Sequence, residues 1–335
     1  MTEPTLRCGF VAIIGAPNAG KSTLVNQLVG TKVSIVTQKV QTTRFPVRGI
    51  ALEDEAQMVL VDTPGIFKPR RRLDRAMVAS AWGGAHDADC VVLLIDAAAQ
   101  LAVSQSLTGR RAPGDPMPSG SEASGQPRAT GADHKAVEDV EMIIEGLKAN
   151  GRKAILALNK IDLMKSENLL AIADDLYKTG IVEDVLMISA EKGHGVKDMK
   201  KLLAGRMPEG PWLYPEDQAA DAPVRILAAE ITREKLFLRV HEELPYAAAV
   251  VTTEFTDKPD GSVRIEQTIY VERDGQRAIV LGKGGQTLKW IGQKSREELG
   301  KLLDRPVHLF LTVKVEEKWS DDRALYAQFG LDYNS

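Results

Sequence analysis

The residues with the plainest chemistry are Gly15-Ala16-Pro17-Asn18-Ala19-Gly20-Lys21-Ser22, a G-x-x-x-x-G-K-S string. Its glycines let successive backbone N–H groups curl around phosphate oxygens. Lys21 brings a point charge to the outer phosphates, and the Ser22 hydroxyl can hold Mg²⁺. Apolar Phe10-Val11-Ala12-Ile13-Ile14 precedes the string and reads as a buried strand. Ser22-Thr23-Leu24-Val25-Asn26-Gln27-Leu28 follows with helical spacing. A helix starting there aims its positive end at the phosphates.

Three further strings extend this chemistry. Asp62-Thr63-Pro64-Gly65 ends the apolar run Met58-Val59-Leu60-Val61. An Asp there reaches Mg²⁺ through water, and the Gly65 N–H can hydrogen-bond a γ-phosphate. Asn159-Lys160-Ile161-Asp162 ends the run Ile155-Leu156-Ala157-Leu158. Asp162 can accept from both N1–H and N2–H₂ of guanine, a donor pair that adenine lacks, while Asn159 and the Lys160 stem brace base and loop. Ser189-Ala190-Glu191 offers a backbone N–H to guanine O6. Each string is short. Four in this order, each at the C-terminal end of a strand, resemble the nucleotide loops of the translation-factor-related GTPases.

That resemblance implies GTP and GDP as ligands, with contacts from every residue of the four strings and from Thr42, Thr43 and Ile66. Between the first two lies Gln41-Thr42-Thr43-Arg44. A threonine of this loop is expected to join Mg²⁺ beside Ser22 and Asp62; Thr43 is preferred and Thr42 is the alternative. The expected catalytic set is Lys21, Asn18, Thr43 and Gly65. Many small GTPases carry, after Asp-x-x-Gly, a glutamine that orients the attacking water. Here that position is Ile66. Together with Asn18 and the paired threonines, Ile66 resembles the hydrophobic-substituted, potassium-assisted GTPases. The likeness implies slow intrinsic hydrolysis, with K⁺ held beside Asn18 in place of an arginine finger.

These loops need a scaffold. Strands are expected at 10–14, 57–61, 90–95, 154–158 and 185–188, and helices after the phosphate loop and at 72–81, 134–149, 166–178 and 196–203. The alternation describes an α/β P-loop domain over 1–206, a mainly parallel sheet with helices on both faces. Residues 104–133 are rich in Gly, Pro, Ser and Ala and read as a disordered insertion. Pro208, Pro211, Pro215 and Pro223 make 207–223 a stiff, extended linker. The grammar then changes over 224–322: a helix near 224–244, strands at 247–255 and 263–271, two helices, and a strand at 307–315. Residues 323–335 form a tail.

Between those two helices stands Gly282-Lys283-Gly284-Gly285. A G-x-x-G turn lets a nucleic-acid backbone come close because no β-carbon blocks it, and Lys283 and Lys289 then meet phosphates. The order of elements resembles an α+β KH domain of the prokaryotic (type II) arrangement. Between 273 and 305 the bases Arg273, Arg277, Lys283, Lys289, Lys294, Arg296, Lys301 and Arg305 outnumber Asp274, Glu297, Glu298 and Asp304. The surface is locally positive although the chain carries a net charge of −3.

A GTPase domain with the Gln41–Arg44 loop followed by a KH domain resembles the bacterial Era GTPases along nearly the whole chain. The resemblance implies binding of 16S ribosomal RNA near its 3′ end, action in 30S subunit maturation, and peripheral contact with the inner membrane. A monomer in the cytoplasm is expected: Cys8 and Cys90 look like core thiols, no apolar stretch is long enough to span a bilayer, and Met1-Thr2-Glu3-Pro4 does not begin a signal peptide. Two other classes stay open. One is an RNA-binding protein whose nucleotide site barely hydrolyses, against which Lys21, Ser22, Thr43 and Asp62 argue. The other is a GTPase that acts on a protein or a tRNA-modification partner.

Overall fold

A strand covered on both faces must be apolar at consecutive positions, and the alternate residues of β1 (Arg7–Ile14) separate accordingly. Val11 and Ile13 enter one core with Leu24, Val25 and Leu28 of α1 (Lys21–Val29). Ala12 and Ile14 enter the other, with residues of the later helices. The computed structural model describes residues 5–37, 39, 42–108, 129–240, 244–328 and 330–335.

After α1 come β2 (Val47–Glu53), β3 (Ala56–Asp62), α2 (Arg72–Asp87), β4 (Cys90–Asp96), α3 (Ala97–Thr108) and α4 (Gly131–Ala149). Then follow β5 (Ala154–Asn159), α5 (Ser166–Tyr177), β6 (Val182–Met187), α6 (Val196–Arg206) and the two-residue β7 (Ala220–Asp221). The sheet order is β6-β5-β4-β1-β3-β2-β7. It is parallel from β6 to β3, and β2 and β7 join it antiparallel. Helices α1 and α6 cover one face; α2 and α4 cover the other with Ala81, Ala85, Val140 and Ile143.

Three expectations change. Strand β2, unforeseen in the sequence, pairs along its whole length with β3. Residues 104–108 belong to α3, and α4 begins at Gly131 rather than 134 because Thr130 and Asp133 form a capping box. The insertion expected at 104–133 is therefore too wide at both ends, and its centre, 109–128, lies outside the described residues, as does Gln41. The 207–223 segment is no free-standing connector. Pro208 accepts from the Cys8 N–H at 3.0 Å, the Gly210 N–H donates to Leu6 at 3.0 Å, and β7 extends the sheet beyond β2. Buried Gln57 holds its middle: the side-chain oxygen accepts from the N–H groups of Leu213 (2.8 Å) and Tyr214 (3.0 Å), and Nε2 donates to the Tyr214 carbonyl at 2.8 Å.

The C-terminal part runs α7 (Val224–Arg239), β8 (Ala248–Asp257), β9 (Val263–Val271), α8 (Asp274–Leu281), α9 (Gln286–Leu302), β10 (Val307–Val315) and α10 (Arg323–Gln328). Helix α7 stops short of the expected 244. The sheet order is β10-β9-β8, antiparallel between β8 and β9 and parallel between β9 and β10, so α8 and α9 form the crossover. Leu236, Val250, Ile269, Val280 and Ile291 form the core beneath the helices. A further apolar cluster lies on the seam between the two domains. There Leu73, Ala76 and Met77 of α2 pack with Ala249 and Val251 of β8 and with Trp319, Tyr326 and Leu331.

Gln57→Leu, which keeps the volume and removes the amide, is expected to destabilise the fold by about 1–2 kcal/mol, since it strands three part-buried backbone groups. Urea unfolding measures the loss, and amide exchange at Leu213 and Tyr214 should accelerate; unchanged exchange there contradicts the strap.

Candidate functional site

The phosphate loop joins β1 to α1, and its glycines are set by close approach. A β-carbon on Gly15 would meet the Leu94 carbonyl oxygen at 2.3 Å, and one on Gly20 would meet Asn159 Nδ2 at 2.3 Å. Gly20 caps α1 without a side-chain hydrogen bond, which leaves the first helical N–H groups to an anion. Lys21 is buried, and its Nζ donates to the carbonyls of Gly15 (3.1 Å) and Ala16 (2.9 Å). Burial pushes its ammonium down to about 8. Asn18 is exposed at φ 63, at the rim of the loop. A β-carbon on Gly65 would meet Pro17 Cα at 3.0 Å, so Gly65 lies directly against the loop.

Three oxygen-bearing side chains converge beside it. The Ser22 and Thr43 hydroxyls are 2.9 Å apart, and Thr43 donates to Asp62 Oδ2 at 3.2 Å. Asp62 is fully buried, and its Oδ1 has no hydrogen-bond partner. Burial drives its carboxyl above the ordinary range, against the Ser22 and Thr43 hydroxyls and the Lys21 charge. A buried, unsatisfied carboxylate oxygen beside two hydroxyls is a hard-donor set that fits Mg²⁺. The threonine pair is split. Thr42 turns away, its hydroxyl donating to the Lys39 carbonyl at 2.7 Å and lying 2.7 Å from that of Thr37.

The rest of this loop is structural in its contacts. Thr63 donates to the Ile13 carbonyl at 2.7 Å and locks the end of β3 to β1. Pro64 is buried, and Ile66 is wholly inside the core that also holds Ala16 and Ala81, its N–H donating to the Gly15 carbonyl at 3.2 Å.

The base loops meet through Asn159. Its Nδ2 donates to the Ala19 carbonyl at 2.7 Å, and its Oδ1 accepts from the Ala190 N–H at 2.9 Å. Asp162 is exposed, and a hydrogen bond from Ser189 holds its carboxyl below the ordinary range. The Ile161 N–H donates to the Ile188 carbonyl at 3.3 Å. Glu191, which ends the Ser189–Glu191 string, is exposed, with its carboxylate 3.5 Å from Lys192 Nζ. Lys160 stands at φ 65, and its Nζ reaches Asp96 Oδ2 at 2.5 Å. Asp96 also accepts from the N–H groups of Ala98 and Ala99 and starts α3. Asp96 ends an apolar strand as Asp62 does, and that shared position is the signal in the sequence that marks it.

The 282–285 turn lies on the other domain. Gly282, Gly284 and Gly285 have φ values of 72, 60 and 77. A β-carbon on Gly282 would meet Thr287 Oγ1 at 2.3 Å, whereas one on Gly284 or Gly285 would meet nothing within 4 Å. The inner glycine is needed for packing and the outer two leave room for an approaching chain. Gly285 caps α9 without a side chain, and Lys283 and Lys289 are exposed nearby.

A family model described as 50S ribosome-binding GTPase matches residues 10–117, and a KH domain model matches residues 243–320. The GTPase Era of Caulobacter vibrioides (strain NA1000 / CB15N) is 62% identical over 336 residues, covering 100% of both chains. That of Maricaulis maris (strain MCS10) is 54% identical over 334 residues, again covering 100% of both. A crystal structure of an Aquifex aeolicus Era variant bound to GDP.AlF4- aligns with a TM-score of 0.80 at 35% identity, over 97% of this chain and 99% of that one. Era in complex with MgGDPNP and nucleotides 1506-1542 of 16S ribosomal RNA aligns at 0.79 and 35% identity, over the same shares. The chain belongs to the Era GTPases, enzymes that hydrolyse GTP on a P-loop domain carrying a C-terminal KH domain.

Proposed function

We propose that this chain is a GTP-driven switch that binds small-subunit (16S) ribosomal RNA near its 3′ end and acts in 30S subunit assembly. The observation that carries the reading is the open side of Gly284 and Gly285 with Lys283 exposed beside them, in one chain with a complete set of nucleotide loops. In this reading residues 1–206 hold the nucleotide, 207–223 strap the two domains, and 224–322 hold the RNA.

The residues divide the work. Loop N–H groups of 15–22 bind the phosphates of GTP, and Lys21 adds its charge to the outer ones. The hydroxyls of Ser22 and Thr43 and the Asp62 carboxylate would hold Mg²⁺. That ion, when bound, neutralises charge on the β- and γ-phosphate oxygens. The Gly65 N–H reads the γ-phosphate, Asp162 reads guanine, and Ser189 and Ala190 close over it. An isoleucine at position 66 has no polar atom with which to orient the attacking water, so intrinsic turnover is slow. Asn18, exposed in the phosphate loop, is read as the side chain that would hold K⁺, whose charge would assist at the phosphates. Among the described residues no helix is long and apolar enough to cross a membrane. A monomer in the cytoplasm with peripheral contact at the inner membrane completes the reading.

In matched salts K⁺ is expected to raise GTP turnover over Na⁺ by about tenfold or more, and Asn18→Ala to remove most of the difference. Equal rates in both salts, with and without ribosomal RNA, overturn the cation role. Gly284→Asp is expected to weaken RNA affinity by at least about tenfold, by setting a carboxylate against phosphates, while GTP affinity stays unchanged. Crosslinking to ribosomal RNA that survives this substitution removes the turn from the RNA site.

A further inference from the structure

The loop that delivers Thr43 to Ser22 and Asp62 is shaped from outside its own domain. Among the described residues of 32–44, contacts with the C-terminal domain stand on both sides of Thr43. Lys32 pairs with Glu234 at 2.7 Å and with Glu298 of α9. The Val36 N–H donates to Glu234 at 2.9 Å. Lys39 Nζ donates to the carbonyls of Phe237 and Val240 at the end of α7. On the far side, Arg44 donates to the Ala248 carbonyl at 2.8 Å and stacks 5.5 Å from the centre of the Trp319 ring.

The contact nearest Thr43 is made by Arg233, whose guanidinium donates to the Thr42 carbonyl. That oxygen belongs to the peptide group leading into Thr43, so its direction constrains where the Thr43 side chain points. Arg233 is 1% exposed, and its Nε donates to Glu230 at 2.7 Å. A guanidinium this deeply buried requires partners, and here one is its helix neighbour and the other the nucleotide-site loop. Residues 230, 233, 234 and 237 lie at helical spacing and form one face of α7 against that loop.

Resting on the reading of Thr43 as a Mg²⁺ ligand, we propose that Arg233 is a positioning residue of the GTPase. By holding the Thr42 carbonyl it turns the Thr43 hydroxyl toward Ser22 and Asp62. The metal-competent form of the G domain then depends on the first helix of the KH domain. The effect is specific to the triphosphate state, because GDP presents no γ-phosphate for the loop to close on.

The test uses the full chain with Arg233→Met, Arg233→Lys, Thr43→Ala and the double variant Arg233→Met with Thr43→Ala. Binding of the GTP analogue GDPNP is titrated against Mg²⁺, GDP affinity and melting temperature report folding, and amide exchange at residues 42–44 is followed in metal-free protein. Arg233→Met is expected to raise the Mg²⁺ needed for half-maximal GDPNP binding by about tenfold, a lost charge-assisted hydrogen bond. Exchange at 42–44 should quicken, GDP affinity should hold, and Arg233→Lys should restore part of the loss. The double variant should match Thr43→Ala alone, because both changes act through one hydroxyl. If Arg233→Met fails to bind GDP, Arg233→Gln carries the same decision. Wild-type Mg²⁺ dependence in the Arg233 variants beside a shifted Thr43→Ala overturns the proposal, as does additivity in the double variant. Unchanged Mg²⁺ dependence in Thr43→Ala instead removes the reading of Thr43, and the proposal with it.

Discussion

One buried amide holds the nucleotide site in register. Asn159 donates to the Ala19 carbonyl and accepts from the Ala190 N–H, so a single side chain joins the phosphate loop to the two loops that would read the base. Its position dictates Gly20, since any β-carbon there would collide with the amide nitrogen. The sheet makes the bridge geometrically possible. In the order β6-β5-β4-β1 the strands run parallel, so the loops that follow them open at one edge. Each buried partner left without the amide would carry a desolvation penalty of about 1–3 kcal/mol. The amide therefore ties the positions of the three loops to one another.

The second set of constraints lies between the domains, and it is unusually rich in charge. Apolar packing of α2 against β8 and Trp319 supplies contact area, but Arg44 and Arg233 are both buried in the seam. Burial and the neighbouring Arg233 pull Arg44 down to about 9, so it still carries its charge at neutral pH. Removing an acceptor would leave an uncompensated buried cation, a larger penalty than losing an exposed ion pair. The Thr42 and Ala248 carbonyls and the Glu230 carboxylate take up these charges, and the carbonyls of Phe237 and Val240 take up that of Lys39. Backbone acceptors have fixed directions, so the contacts specify loop shape as well as attraction.

The misreadings have definite physical causes. Strand β2 was missed because Gly49 interrupts its apolar pattern, yet Gly49 is where α1 comes closest: a β-carbon there would meet Val29 at 2.7 Å. Helix α3 begins Ala97-Ala98-Ala99 and has little amphipathic contrast, so periodicity did not mark it. The start of α4 was legible in Thr130-Gly131-Ala132-Asp133, a capping signal outweighed by the surrounding Gly and Pro. The prolines of 207–223 point to a stiff, extended connection, and the segment contains no helix. What pins the segment is Gln57, more than 150 residues away, which no local pattern discloses.

From sequence alone came the α/β then α+β order, the GTPase chemistry and the glycine turn of the KH domain. Each rests on local physics: glycines where backbone must approach closely, a lysine and a serine at a helix start, and apolar runs that can only be buried strands. Tertiary structure decided which of two adjacent threonines meets Ser22 and Asp62, that Ile66 lies in the core, and that Asp96 holds Lys160. Thr42 and Thr43 have identical side chains, so the sequence could prefer Thr43 without excluding Thr42. The direction of one peptide group separates them, and its carbonyl is gripped by an arginine 191 residues further along the chain.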